Sequence, residues 1–154
     1  MSVDGQSVEW QTEESRMLDE IAIQQTLNRY SDGASRADWE QVLSTFTPDA
    51  TWEIADVGAR YQDHASIQKV MAAFVGQMAY FVQINSPAII QVDGNRAVAS
   101  SVIRECGKFA DREEALEVLG RYSDELIRTA EGWKFTRRVF SSLGQHRFKL
   151  LPAG

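Results

Sequence analysis

Tyr30, Asp32, Ser35 and Asp38 fall within nine positions of one another in RYSDGASRADWEQVLSTF (residues 29–46), and all four are residue types that hold or move protons. A carboxylate becomes a general base when it lies within hydrogen-bond reach of the proton it takes, in a site that tunes its pKa. A second set stands near the end of the chain: Tyr122 and Asp124 in RYSDEL, and Arg138 in WKFTRR. Residues two apart on a strand share a face, so Tyr122 and Asp124 point the same way, and Arg138 aligns with Lys134, Thr136 and Phe140. If those faces are inward, Asp124 is the best-placed carboxylate base and Arg138 could hold an enolate or a carboxylate. The plainer reading pairs Arg138 with Asp124 or Glu125 as a cross-strand salt bridge. Glu105 is a weaker candidate, a strand residue whose facing the pattern leaves open.

The elements that must carry these side chains follow from periodicity. Ile23, Leu27, Tyr30 and Ala34 recur at spacings of four, three and four, one stripe of an amphipathic helix that starts near Ser15. At about 100° per residue, Asp32 points away from that stripe, whereas Ser35 flanks it. Asp38 followed by Gln41 reads as the cap of a second helix, with Trp39, Val42, Leu43 and Phe46 on its apolar face. Neither aspartate is therefore a good base. Tyr30, on the inward stripe, either orients a ligand oxygen or is a buried tyrosine with one hydrogen bond.

TPDA ends the second helix, TWEIA reads as a short strand, and a third helix is predicted over residues 63–78. Two hairpins follow, turning at Asp93-Gly94-Asn95 and at Ala130-Glu131-Gly132, so four long antiparallel strands are expected after the helices. That order indicates an α+β domain over residues 15–143, with a loose arm at 1–14, where Trp10 could dock, and a tail at 144–154. Trp52, Met71, Phe74, Met78 and Phe81 could line an apolar cavity or simply fill the core.

Composition narrows the function classes. The formal charge of −6 opposes binding to phosphate backbones, so no nucleic-acid partner is expected. One cysteine, Cys106, fits a reducing cytoplasm, and no apolar run approaches the ~20 residues a membrane helix needs. His64 and His146 lack paired ligand spacing, so neither a metal nor another cofactor is expected. Ser35 has no histidine placed to activate it as a nucleophile.

Three stretches, IQQTLNRYSDGASRADWEQVLSTFTPDATW, NSPAIIQVDGNRA and GRYSDELIRTAEGWKFTRR, together resemble the SnoaL-like branch of the nuclear transport factor 2-like superfamily. That group includes scytalone dehydratase, polyketide cyclases and hexachlorocyclohexane dehydrochlorinase. The resemblance implies a cystatin-like, cone-shaped antiparallel sheet wrapped around three helices, a deep apolar pocket, and assembly as a homodimer or homotrimer. It also implies a histidine–aspartate pair with an assisting arginine. The aspartate position, five residues after Tyr30, is Ser35 here. The histidine position is Phe81, and the arginine is Arg138.

Three readings remain open. The first is a cofactor-independent lyase, isomerase or cyclase acting on a small, hydrophobic, oxygenated molecule, with Arg138, Asp124 and Tyr30 as catalytic groups. The second is a non-catalytic binder of a small hydrophobic molecule, contacted by Ser35, Trp52, Met71, Phe81, Tyr122 and Phe140. The third is a scaffold for partner contacts.

Overall fold

The computed structural model describes residues 4–151, with side chains from residue 12 onward. Helix α1 (Asp4–Arg36) is followed by α2 (Trp39–Ser44), β1 (Phe46–Ile54), a 3-10 turn (Ala55–Val57), β2 (Ala59–Gln62) and α3 (Asp63–Val75). Strands β3 (Met78–Asn85), β4 (Ile89–Asp93), β5 (Arg96–Phe109), β6 (Glu114–Thr129) and β7 (Gly132–Lys149) complete the chain. The helical backbone thus begins well before Ser15. The Trp10 side chain lies outside the described residues. Gln145 to Lys149, expected in a tail, extend β7 and pair with the start of β6. Among the described residues, no helix is long and apolar enough to cross a membrane.

The predicted stripe of α1 is the heart of the core: Ile23, Leu27, Tyr30 and Ala34 are all buried. Each buried aliphatic side chain of that kind contributes roughly 1.5–3 kcal/mol. Asp38 caps α2 as its spacing predicts, accepting a 3.0 Å hydrogen bond from the Gln41 amide. Asp32 faces outward, where Arg36 donates to it at 2.8 Å. Gly33 is where α1 and α2 meet. A Cβ there would come within 2.9 Å of Val42, so only glycine allows this approach.

The strands form one curved sheet in the order β2-β1-β7-β6-β5-β3, with β4 also paired to β5. This is the α+β architecture expected, with three differences in detail. First, β1 and β7 run parallel, joining the earliest strand to the last. Second, the run expected as one strand breaks at Pro87, which cannot donate to a ladder. Its two halves, β3 and β4, pair with successive parts of β5. Third, α3 stops at Val75, and Met78 opens β3 instead of closing the helix.

Bulges in β7 set which side chains reach the interior. The ladder pairs Leu126 with Phe135 but Glu125 with Arg137, leaving Thr136 as an extra residue. Trp133 and Phe135 face inward before the bulge, and Arg138 faces inward after it. Lys134 and Thr136 therefore do not share the face of Arg138 and Phe140, as strict alternation predicts. A second irregularity, at Leu143, shifts the register between Gly120–Ser142 and Leu119–Gly144.

Candidate active site

Between the helices and the concave face of the sheet lies a cavity of about 390 Å3. Its walls are largely aromatic: Tyr30 from α1, Trp52 from β1, Phe74 from α3, Phe81 from β3, Tyr122 from β6 and Phe140 from β7. Phe74 meets Phe81 edge-on, as Phe140 meets Tyr122. The Phe140 ring reaches this position by lying across Gly120, where a Cβ would come within 2.1 Å of it. A wider groove of about 690 Å3, lined by Asp49, Arg60, Asp93, Arg96, Glu125 and Arg137, is polar and open. The aromatic cavity has the mostly apolar lining with few polar groups that small-molecule sites favour.

Polar groups are set into the apolar walls. The Tyr30 and Tyr122 hydroxyls are 3.1 Å apart and hydrogen-bonded to each other. Burial raises both phenols, Tyr122 to about 12. The indole Nε1 of Trp52 is buried without a hydrogen-bond partner among the described residues. It lies close enough to the Tyr122 hydroxyl to stabilise the phenolate form, though outside hydrogen-bond geometry. Gln83 from β3 and Glu105 from β5 also line the cavity, and the Gln83 amide donates to Glu105 Oε1 at 2.7 Å.

Two carboxylates line the cavity: exposed Asp56, which accepts from the Ser142 backbone amide at 2.7 Å, and Glu105. Loss of solvation raises the pKa of Glu105 to about 6, opposed by the hydrogen bond from Gln83 and the charge of Arg138. Inward residues of β5 fall on odd numbers, with Ala97, Ala99, Ser101 and Ile103 all buried. Glu105 continues that row. Val98 and Val102 on the opposite face obscure the alternation in the sequence, which is why the facing of Glu105 could not be read from it.

Tyr30, Trp52, Met71, Phe81, Tyr122 and Phe140 therefore all line the cavity. Arg138 and Asp124 do not line it. They are fully buried behind its floor, with Arg138 Nε 3.2 Å from Asp124 Oδ1. Neither the guanidinium nor the carboxylate makes a hydrogen bond among the described residues. The guanidinium instead lies against the rings of Tyr122, Tyr30 and Phe135, at 3.8, 4.1 and 4.4 Å. Burial raises Asp124 to about 6, and Arg138 opposes the rise. The cross-strand ion pair, offered as the plainer reading, is the arrangement found.

Ser35 is occupied by the backbone: it accepts from Gln83 N at 2.8 Å and donates to Ser31 O at 2.8 Å. Ser31 and Gln83 drew no attention in the sequence, and only the packing of α1 on β3 brings them together. His64 faces the carbonyls of Phe46 and Thr47, and His146 packs against Phe148, so neither is among the lining residues. No cluster of metal-ligating side chains occurs among the described residues.

Comparison with known proteins agrees with this architecture. A family model described as a SnoaL-like domain matches residues 15–139. An uncharacterized protein of Mycobacterium tuberculosis strain H37Rv is 27% identical over 126 residues, covering 81% of this chain and 86% of its own. Among solved structures, a candidate aromatic ring hydroxylase from Novosphingobium aromaticivorans is 26% identical, with a TM-score of 0.79 over 86% of this chain and 94% of its own. A candidate scytalone dehydratase from the same organism is 18% identical, with a TM-score of 0.79 over 92% and 95%. A type 3 hexachlorocyclohexane dehydrochlorinase from Novosphingobium barchaimii is 15% identical, with a TM-score of 0.79 over 92% and 99%. At those identities the last two establish the fold. With four-fifths of its length matched by the family model and an α+β frame around an aromatic cavity, the chain belongs to the SnoaL-like domain family.

Proposed function

We propose that this protein is an enzyme of the lyase, isomerase or cyclase kind, acting on a small, mainly apolar, oxygenated molecule, with Glu105 as its proton-transfer group. One observation carries the reading: a carboxylate with a pKa raised to about 6 opens into an apolar cavity beside two phenols. A base tuned close to the working pH is ionised when it meets substrate yet gives its proton back readily. Glu105 takes a proton from a carbon next to a carbonyl, and the bonding pair moves onto the carbonyl oxygen. Tyr122, Tyr30 and Trp52 Nε1 supply donors for that oxygen as charge develops there. Returning the proton at another carbon makes an isomerase; expelling a group from the adjacent carbon makes a lyase. Each route closes with a carboxylate and hydrogen-bond donors, so the reading invokes no cofactor.

Asp124 and Arg138 have no part in proton transfer in this reading, because both lie behind the floor of the cavity. They form its electrostatic footing. We place the protein in the cytoplasm as a homo-oligomer, in keeping with its single cysteine and the family it belongs to.

The competing reading is a binder of a small hydrophobic molecule, favoured by the number of aromatic side chains that line the cavity. A panel of small aromatic and alicyclic ketones in D2O at pH 7 separates the two. Enzyme-dependent exchange of carbon-bound hydrogen, followed by NMR and lost in Glu105→Gln, is the expected result. Ligands that raise the melting temperature but never exchange would leave only the binder.

A further inference from the structure

We propose that Gln83 is the positioning residue for Glu105 and that Ser31 determines which way round the Gln83 amide lies; this rests on the assignment of Glu105 as the proton-transfer group. A primary amide offers NH2 at one end and a carbonyl oxygen at the other, and either end can face a carboxyl group. Here the Ser31 hydroxyl donates to Gln83 Oε1 at 2.9 Å, which occupies the carbonyl end. The NH2 end is thereby turned toward Glu105 Oε1, at 2.7 Å. The Gln83 backbone is tied to the same helix, its amide donating to Ser35 Oγ and Ser35 donating in turn to Ser31 O. Ser31 and Gln83 are 4% and 7% exposed, so water does not compete for the bond between them.

This arrangement distinguishes the two carboxylate oxygens. Oε1 is held as an acceptor, and the proton that Glu105 takes and returns sits on Oε2. With the amide reversed, Gln83 Oε1 would face Glu105, and only a protonated carboxyl could bond to it. By donating to the carbonyl end, Ser31 supports the amide orientation that serves the ionised form of Glu105 from across the helix–sheet boundary. The other charged or titratable groups coupled to Glu105 are Arg138 from β7, Tyr30 from α1 and Tyr122 from β6. None of them fixes the direction of the amide.

The test is a 13C NMR titration of the glutamate Cδ resonances in the full chain, with Glu105 assigned by its absence in Glu105→Gln. Wild type titrates at about pH 6. Gln83→Met and Ser31→Ala each raise the midpoint, Gln83→Met by about one pH unit, a tenfold gain in proton affinity. Ser31→Thr, which keeps the hydroxyl, restores the wild-type midpoint. Should Gln83→Met not fold, the Ser31→Ala and Ser31→Thr pair decides alone. A Glu105 midpoint unmoved in Ser31→Ala overturns the proposal. The titration needs no substrate, so a protein that titrates in this way but exchanges no ligand hydrogen refutes the catalytic reading and leaves the relay standing.

Discussion

The guanidinium carbon of Arg138 lies 3.8 Å from the centre of the Tyr122 ring, and Tyr122 separates it from the cavity. A fully buried cation is held there by one carboxylate, Asp124, and by the faces of three aromatic rings. Removing one member of a buried pair leaves the other charge uncompensated, at roughly 3–5 kcal/mol. Arg138→Leu is expected to cost that much in urea denaturation. Adding Asp124→Leu to it should recover part of the loss, because the orphaned charge is gone. A double variant less stable than Arg138→Leu would contradict this.

Catalysis should rise with pH through the Glu105 titration. Below pH 6 the carboxyl is mostly protonated and cannot accept a proton; above it the base is ionised. For any substrate found, kcat/KM is expected to climb between about pH 5 and 7 with a midpoint near 6. Glu105→Gln should lower it by about 10²–10⁴-fold at pH 7. A bell whose rising limb sits near pH 4 would point away from Glu105.

Stability should follow the opposite course. Glu105 and Asp124 titrate near 6 in the folded chain, against ordinary values of 4.5 and 3.8. The unfolded chain ionises first as pH rises, so from about pH 4 to 6 the folded state holds more protons and these two groups progressively destabilise it. Glu105→Gln removes its share. It should be more stable than wild type by about 1–2 kcal/mol at pH 8 and no more stable at pH 4. Urea midpoints at the two pH values measure the difference.

Gly120 keeps room for the Phe140 ring that walls the cavity. Gly120→Ala forces that ring to move, at roughly 1–3 kcal/mol of stability. It should also weaken ligand binding more than it weakens the fold, which paired melting curves with and without ligand would resolve. An unchanged cavity in a crystal structure of the variant would count against this role.

The proposed assembly is tested on the convex side of the sheet. Tyr80, Val82 and Ile84 form an exposed apolar row on β3, and Val98 and Val102 extend it on β5. A dimer or trimer is expected in sedimentation equilibrium, reduced to monomer by Val82→Lys with Ile84→Lys. A wild-type monomer at tens of micromolar would remove that expectation.

Local signals carried most of the architecture. The α1 stripe from Ile23 to Ala34, the Asp38 cap and the turns at Gly94 and Gly132 are each specified by neighbours within a few residues, and each is found where the spacing places it. Alternation failed where a bulge intervened: Thr136 is one residue out of register, so Lys134 and Arg138 face opposite ways. The signal for Pro87 is local too, since the ring that breaks the ladder is in the sequence, although apolar patterning alone runs through it as one strand.

Tyr30, Trp52, Met71, Phe81, Tyr122 and Phe140, all named from the sequence, line one cavity with Glu105. The assignment of base depended on more. Asp124 and Glu105 are both inward carboxylates on adjacent strands, and nothing nearby in sequence tells them apart. Their roles were decided when the folded sheet set Arg138 beside Asp124 and the packing of α1 set Ser31 and Gln83 beside Glu105. Sequence by itself determined most of the elements and the inward stripe of α1, because those follow from short-range geometry. Only tertiary structure decided which carboxylate is neutralised behind the floor and which is left facing the cavity, because charge pairing and desolvation depend on partners that the chain brings together from 52 and 22 residues away.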